Sequence, residues 1–112
     1  MGLLIDSSVL IAAERGQIQL RDVIADRGDE PLAISVITAS ELLHGIHRAK
    51  MPEQANKRLL FVSFILDLFP VVPVDLEVAR RHAIVWAELQ ARGEIIGAHD
   101  LLIAASALAI AY

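Results

Sequence analysis

The segment GLLIDSSVLIAA, residues 2–13, places one charged side chain, Asp6, between two apolar runs. The short run before Asp6 is typical of a strand buried on both faces of a parallel sheet. The run after it has the composition of a helix that Gly16 ends. A carboxylate loses its hydration when it is buried, so Asp6 must either reach solvent or have a partner.

The rest of the chain continues this alternation of strands and helices. Two more strands are predicted, at PLAIS (residues 31–35) and VVPV (residues 71–74). Pro52 fits the first turn of a helix and Asp75 fits an N-cap. The further predicted helices cover residues 19–28, 38–50, 52–69, 76–93 and 99–111. Strands separated by helical crossovers predict an α/β layered domain with a mainly parallel central sheet flanked by helices.

Composition limits the class of protein. The 112 residues are 55% hydrophobic and 21% charged, with a net charge of −4, which predicts one compact domain over residues 1–112. The chain has no cysteine, so it offers no disulfide or thiolate metal site, and an intracellular location fits. Its apolar stretches are too short or too interrupted to span a bilayer, and no signal peptide precedes them. We therefore expect a soluble cytoplasmic protein with no membrane partner, and the acidic balance argues against a general nucleic-acid coat.

Three acids fall at matching places in this alternation. Asp6 follows the first strand, Glu41 is expected in the first turn of the helix after the second strand, and Asp100 opens the final helix. Ligands of open parallel sheets bind beyond the carboxyl ends of the strands, where helices begin. The three carboxylates are therefore expected to converge on one crevice.

Each acid also has an ordinary structural explanation. Asp6 could cap a helix, and Asp100 could interact with the positive end of a helix dipole. The sequence TASE forms a capping box with Thr38 as N-cap and Glu41 reaching back to it. Taken together, however, clustered carboxylates repel one another unless they are protonated or bridged by cations. Mg²⁺ and Mn²⁺ prefer such oxygen ligands, and a site of this kind suits phosphodiester hydrolysis.

Three segments of the chain, in order, carry a resemblance to a known family. LLIDSSVLIA, SVITASELLHGI and GAHDLLIAASAL closely resemble the signature segments of PIN-domain ribonucleases, especially the VapC toxins of toxin–antitoxin pairs. The resemblance covers almost the whole chain and implies a PIN-like three-layer domain with Mg²⁺- or Mn²⁺-dependent endoribonuclease activity. It implies that Asp6, Glu41 and Asp100 are catalytic, metal-binding acids. It also places Ser7 and Thr38 at hydroxyl positions that support these acids.

The same resemblance implies two protein partners and one departure from the family pattern. VapC-like toxins pair as homodimers and are blocked by an antitoxin of the VapB type. The apolar segment LLFVSFILDLF, residues 59–69, could supply a surface for either partner. The family continues past the final helix into another strand and a fourth acid, whereas this sequence stops at Tyr112. The domain is therefore expected to be truncated at its C-terminus.

Other polar groups are weaker candidates. A loose basic cluster could contact RNA phosphates or could simply be solvated helix ends; it consists of Arg48, Lys50, Lys57 and Arg58. His44 and His47 lack the spacing of a zinc protease site, and His99 could approach a phosphate or merely begin a helix.

The alternative function is a non-catalytic PIN-like module that binds RNA or a protein. A phosphoacceptor domain is a third possibility, but it would need a lysine near a late strand end, and none is present there.

Overall fold

The fold is a parallel three-stranded sheet flanked by six helices, as seen in a computed structural model that describes residues 2–112. The strands are β1 (Leu3–Leu4), β2 (Leu32–Ser35) and β3 (Val71–Val72), in the order β1-β2-β3. Leu3 pairs with Leu32, and Ile34 pairs with Val71. The helices are α1 (Ser7–Glu14), α2 (Leu20–Asp26), α3 (Val36–His47), α4 (Pro52–Leu68), α5 (Leu76–Ala91) and α6 (Ala98–Ala109).

The central strand shows why the domain has three layers. Ala33, Ile34 and Ser35 are consecutive in β2 and all are buried, so both faces of the sheet are covered. The core beneath it is built from residues of three helices, of β2 and of the positions that directly follow β1 and α4: Ile5, Leu10, Ile34, Ala39, Leu42, Val62, Ile65 and Phe69. The α/β fold with a parallel central sheet is confirmed.

Two predicted helix starts are confirmed in atomic detail. Pro52 occupies the first turn of α4, where its missing N–H costs nothing. Asp75 precedes α5, and its Oδ1 accepts a hydrogen bond from the backbone N–H of Val78 at 3.0 Å. The predicted strand at residues 71–74 is shorter, because Pro73 has no N–H to continue the ladder.

The start of α3 differs from its prediction. Ser35, the last residue of β2, is the N-cap, and its Oγ accepts a hydrogen bond from the backbone N–H of Ile37 at 3.1 Å. The strand therefore passes directly into the helix, and Thr38 lies inside the first turn instead of capping it. The predicted capping box is wrong, and so is the predicted first-turn position of Glu41. Glu41 lies one turn further along the helix.

Helix α5 is only partly covered by the rest of the domain. Val78 is buried, whereas Trp86 is 53% exposed, and its ring is tilted by 52° to that of His82 with the centroids 5.6 Å apart. In the part of the chain that the structure describes, none of the helices combines the length and apolar character needed to cross a bilayer.

Candidate active site

Asp6 lies where β1 ends and α1 begins. Its backbone is extended, as an N-cap requires, but its carboxylate makes no capping hydrogen bond to a backbone N–H of α1. Instead Oδ2 accepts a hydrogen bond from the Ser8 hydroxyl at 2.6 Å, at the exposed surface. Asp6 therefore lacks the hydrogen bond that a capping side chain would make. Its carboxylate faces solvent at the carboxyl end of β1.

Glu41 connects the starts of two other helices. Its Oε2 accepts a hydrogen bond from the Oγ of Ser7, the residue that follows Asp6, at 3.3 Å. Its Oε1 lies 3.9 Å from Nδ1 of His99, the residue that precedes Asp100. Glu41 is therefore the side chain through which α1, α3 and α6 meet at one edge of the sheet.

Asp100 lies in the first turn of α6, which Gly97 precedes as N-cap. Its side chain is exposed, like that of Asp6, while Glu41 is only half-buried. Among residues 2–112, no three His, Cys, Asp or Glu side chains are grouped tightly enough to hold a metal ion. The residues next to Asp6 and Asp100 thus both contact Glu41, but the three carboxylates do not form a closed cluster. Mutual repulsion of uncompensated carboxylates favours such a separation.

The two supporting hydroxyls have different environments. Ser7 is largely buried and holds Glu41, as described above. Thr38 is completely buried one turn before Glu41, and its Oγ1 has no hydrogen-bond partner among residues 2–112. A buried hydroxyl without a partner is costly, so the Thr38 hydroxyl is expected to destabilise the fold.

Replacing Thr38 with valine tests this cost. Because the substitution removes an unpaired buried hydroxyl and keeps a branched side chain, we expect it to raise the free energy of unfolding by about 1 kcal/mol. Urea denaturation of the metal-free protein measures the change. Ser35→Ala is the matched control, because the Ser35 hydroxyl does have a partner, and its loss should destabilise by about 1 kcal/mol. A Thr38→Val variant that is destabilised as much as Ser35→Ala would contradict the conclusion that the Thr38 hydroxyl has no hydrogen-bond partner within residues 2–112.

The four residues of the basic cluster do not act as one group. Arg58 donates a hydrogen bond from Nη1 to the backbone carbonyl of Gly45 at 2.7 Å, and its Nε lies 3.7 Å from Oε1 of Glu14. Arg48 ends α3 and lines a cavity together with Glu41 and Arg58. Lys57 lines a neighbouring cavity, and Lys50 is exposed.

The sequence prediction overlooked Arg15, which follows α1 and lines the same cavity as Glu41 and Arg48. No sequence pattern around Arg15 indicates this position, because it is the packing of α1 against α3 that brings Arg15 to the cavity. The sequence prediction also left open whether His99 contacts the candidate site. In the structure His99 lies beside Glu41. His44 and His47 are both exposed in the last turn of α3.

Comparison with known proteins defines the family. The family description "PIN domain" matches residues 3–111. Ribonuclease VapC from Rickettsia bellii is 37% identical over 112 residues, which are all of this chain and 81% of that protein. Ribonuclease VapC10 from Mycobacterium tuberculosis is 38% identical over 106 residues, covering 94% of this chain and 74% of the relative. The chain therefore belongs to the PIN-domain family, and within it to the VapC family.

Solved structures agree with this placement. VapBC-5 from Mycobacterium tuberculosis, a member of the VapBC family of toxin-antitoxin systems, has a TM-score of 0.75 at 31% identity, over 98% of this chain and 79% of that one. VapBC2 from Rickettsia felis, bound to a DNA fragment from its promoter, has a TM-score of 0.84 at 24% identity, over 99% of this chain and 83% of that one. The second likeness supports the fold alone.

Proposed function

We propose that this chain is a Mg²⁺- or Mn²⁺-dependent endoribonuclease that hydrolyses RNA phosphodiester bonds and acts as the toxin of a type II toxin–antitoxin pair. The observation that carries the proposal is the position of Glu41, which contacts the neighbours of both Asp6 and Asp100 at one edge of the sheet. The relatives named ribonuclease VapC support the reaction, and the VapBC-5 likeness supports the toxin role.

The acids at this edge have the donor chemistry that a hard divalent ion prefers. Asp6 and Asp100 are exposed carboxylates able to bind such an ion directly, and Glu41 would bind it directly or through water. A bound ion would supply charge neutralisation at the phosphate and an activated water. The hydroxyls of Ser7 and Ser8 hold the Glu41 and Asp6 carboxylates in place, which limits the reorganisation needed when an ion binds.

Metal dependence is tested by incubating the purified chain with a structured RNA in Mn²⁺, Mg²⁺ or EDTA. We expect cleavage with either ion, none in EDTA, and recovery when excess Mn²⁺ is added back, because separated carboxylates need a cation to act together. Cleavage that persists in EDTA would contradict the proposal. Retained metal binding with no cleavage of a broad RNA pool would favour the alternative, a non-catalytic PIN-like module that binds RNA or protein.

Two protein partners belong to the same proposal: a VapB-like antitoxin and a second copy of this chain. The antitoxin is supported by the toxin–antitoxin description of VapBC-5. The homodimer is supported by an exposed apolar row on α4, formed by Leu60, Phe64 and Leu68 at intervals of four residues. A cytoplasmic location, also proposed, fits a chain with no cysteine.

A further inference from the structure

A cavity of about 190 Å³ opens beside the candidate active site, between α1, α3 and α4. Glu41 lines it, so the cavity shares this side chain with the acidic edge, which is the name we give to Asp6, Glu41 and Asp100. Its other charged lining residues are Glu14 and three arginines, Arg15, Arg48 and Arg58. We call this cavity the arginine groove.

The arginines of the groove are not equivalent. Arg58 is occupied by the Gly45 carbonyl and by Glu14 and so ties α4 to both α3 and α1. Arg15 and Arg48 form no salt bridge with any acid within residues 2–112. The groove therefore presents two guanidinium groups that internal pairing does not neutralise, in a chain whose net charge is −4.

We propose that the arginine groove binds a backbone phosphate of the RNA strand next to the phosphate that is cleaved, through Arg15 and Arg48. This inference rests on the proposed function, because Glu41 belongs to both the groove and the acidic edge. A strand whose scissile phosphate lies at the acids would then continue into the groove. Guanidinium groups suit this role, since their planar set of donors binds phosphate oxygens in pairs and stays charged at all relevant pH values.

A simpler role for the two arginines has to be separated from this one. Arg15 is the C-cap residue of α1 and Arg48 that of α3, where a positive charge also interacts favourably with the helix dipole. That role predicts a change in stability when the charges are removed, but no change in how RNA binding responds to salt. The phosphate-binding role predicts that RNA binding becomes less dependent on salt when the charges are removed.

The test measures binding of a short fluorescein-labelled single-stranded RNA at several salt concentrations. All proteins carry Asp6→Asn to prevent cleavage, and Arg15→Gln/Arg48→Gln is compared with the parent. Each phosphate neutralised on a single strand contributes a slope of about 0.7 in log K against log salt, so the double variant, which loses one bound phosphate, should lose about 0.7 from its slope. Affinity at low salt should fall more than about tenfold. Arg81→Gln is the matched control, because Arg81 is an exposed arginine on α5, outside the groove, and its removal should leave the slope unchanged.

Two companion variants keep the test decisive. Arg15→Lys/Arg48→Lys preserves the charges and should recover most of the slope. If the double glutamine variant does not fold, each single variant should have a smaller slope than the parent, by up to about 0.7. A folded glutamine variant with an unchanged slope and a lower Tm would overturn the groove proposal and leave the ribonuclease proposal standing. Both proposals would be overturned if the chain without any substitution does not cleave RNA and the Asp6→Asn parent does not bind it.

Discussion

Replacing Asp6 with asparagine is expected to lower the rate of RNA cleavage by about a thousandfold or more, with little effect on the fold. The substitution keeps the size and shape of the side chain and removes one negative charge from the edge where Glu41 and Asp100 also lie. Ser8 can donate to the asparagine oxygen as it does to Oδ2 of Asp6. Because the side chain is exposed and makes no capping hydrogen bond, we expect the Tm to stay within about 3 °C.

Cleavage of a structured RNA in Mn²⁺ and the Tm in metal-free buffer are the two measurements needed. Asp75→Asn is the matched control, since it changes the same residue type at the start of another helix. Asparagine caps helices about as well as aspartate, so this control should keep both activity and stability. A sharp fall in Tm for Asp6→Asn without metal would mean that Asp6 is structural.

Ile65→Ala and Phe64→Ala are expected to give opposite results although the residues are adjacent on α4. Ile65 is completely buried in the core, so its truncation should lower the free energy of unfolding by about 2 to 5 kcal/mol. Phe64 is 54% exposed, and its truncation should change the free energy of unfolding of the monomer by no more than about 0.5 kcal/mol. The first loss is a large part of the total stability of a domain of this size.

Urea denaturation measures the stabilities, and light scattering across micromolar to millimolar protein measures the association state. Phe64→Ala should weaken self-association while leaving the fold intact, because Phe64 lies in the middle of the exposed apolar row of α4. A parent chain that remains monomeric over the whole range would contradict the homodimer. A Phe64→Ala dimer as tight as the parent would move the interface away from α4.

Much of the candidate site could be predicted because its signals are local. Asp6 and Asp100 lie beside short, strongly patterned segments, and the alternation of strands and helices already places them at one edge of the sheet. Pro52 and Asp75 mark helix starts through their own backbone chemistry. The positions of Asp6, Glu41 and Asp100 as metal ligands stay a prediction, which the cleavage assay addresses.

The details that were wrong or missed depend on tertiary structure. Ser35 and Thr38 are both good N-cap residues, and sequence alone does not show that the buried end of β2 passes straight into α3. Arg15 reaches the groove only because α1 packs against α3. The exposure of Trp86 likewise depends on how α6 covers α5, which no periodicity within α5 reveals.

The direct junction between β2 and α3 determines the direction in which the Glu41 carboxylate points. No flexible loop separates Ser35 in the sheet from Glu41 on the helix, so the direction of the Glu41 carboxylate is set by a count of residues. One residue inserted between them would turn Glu41 by about 100° around the helix axis, away from Ser7 and His99. The spacing of six residues from Ser35 to Glu41 must therefore be preserved if Glu41 is to reach Ser7 and His99.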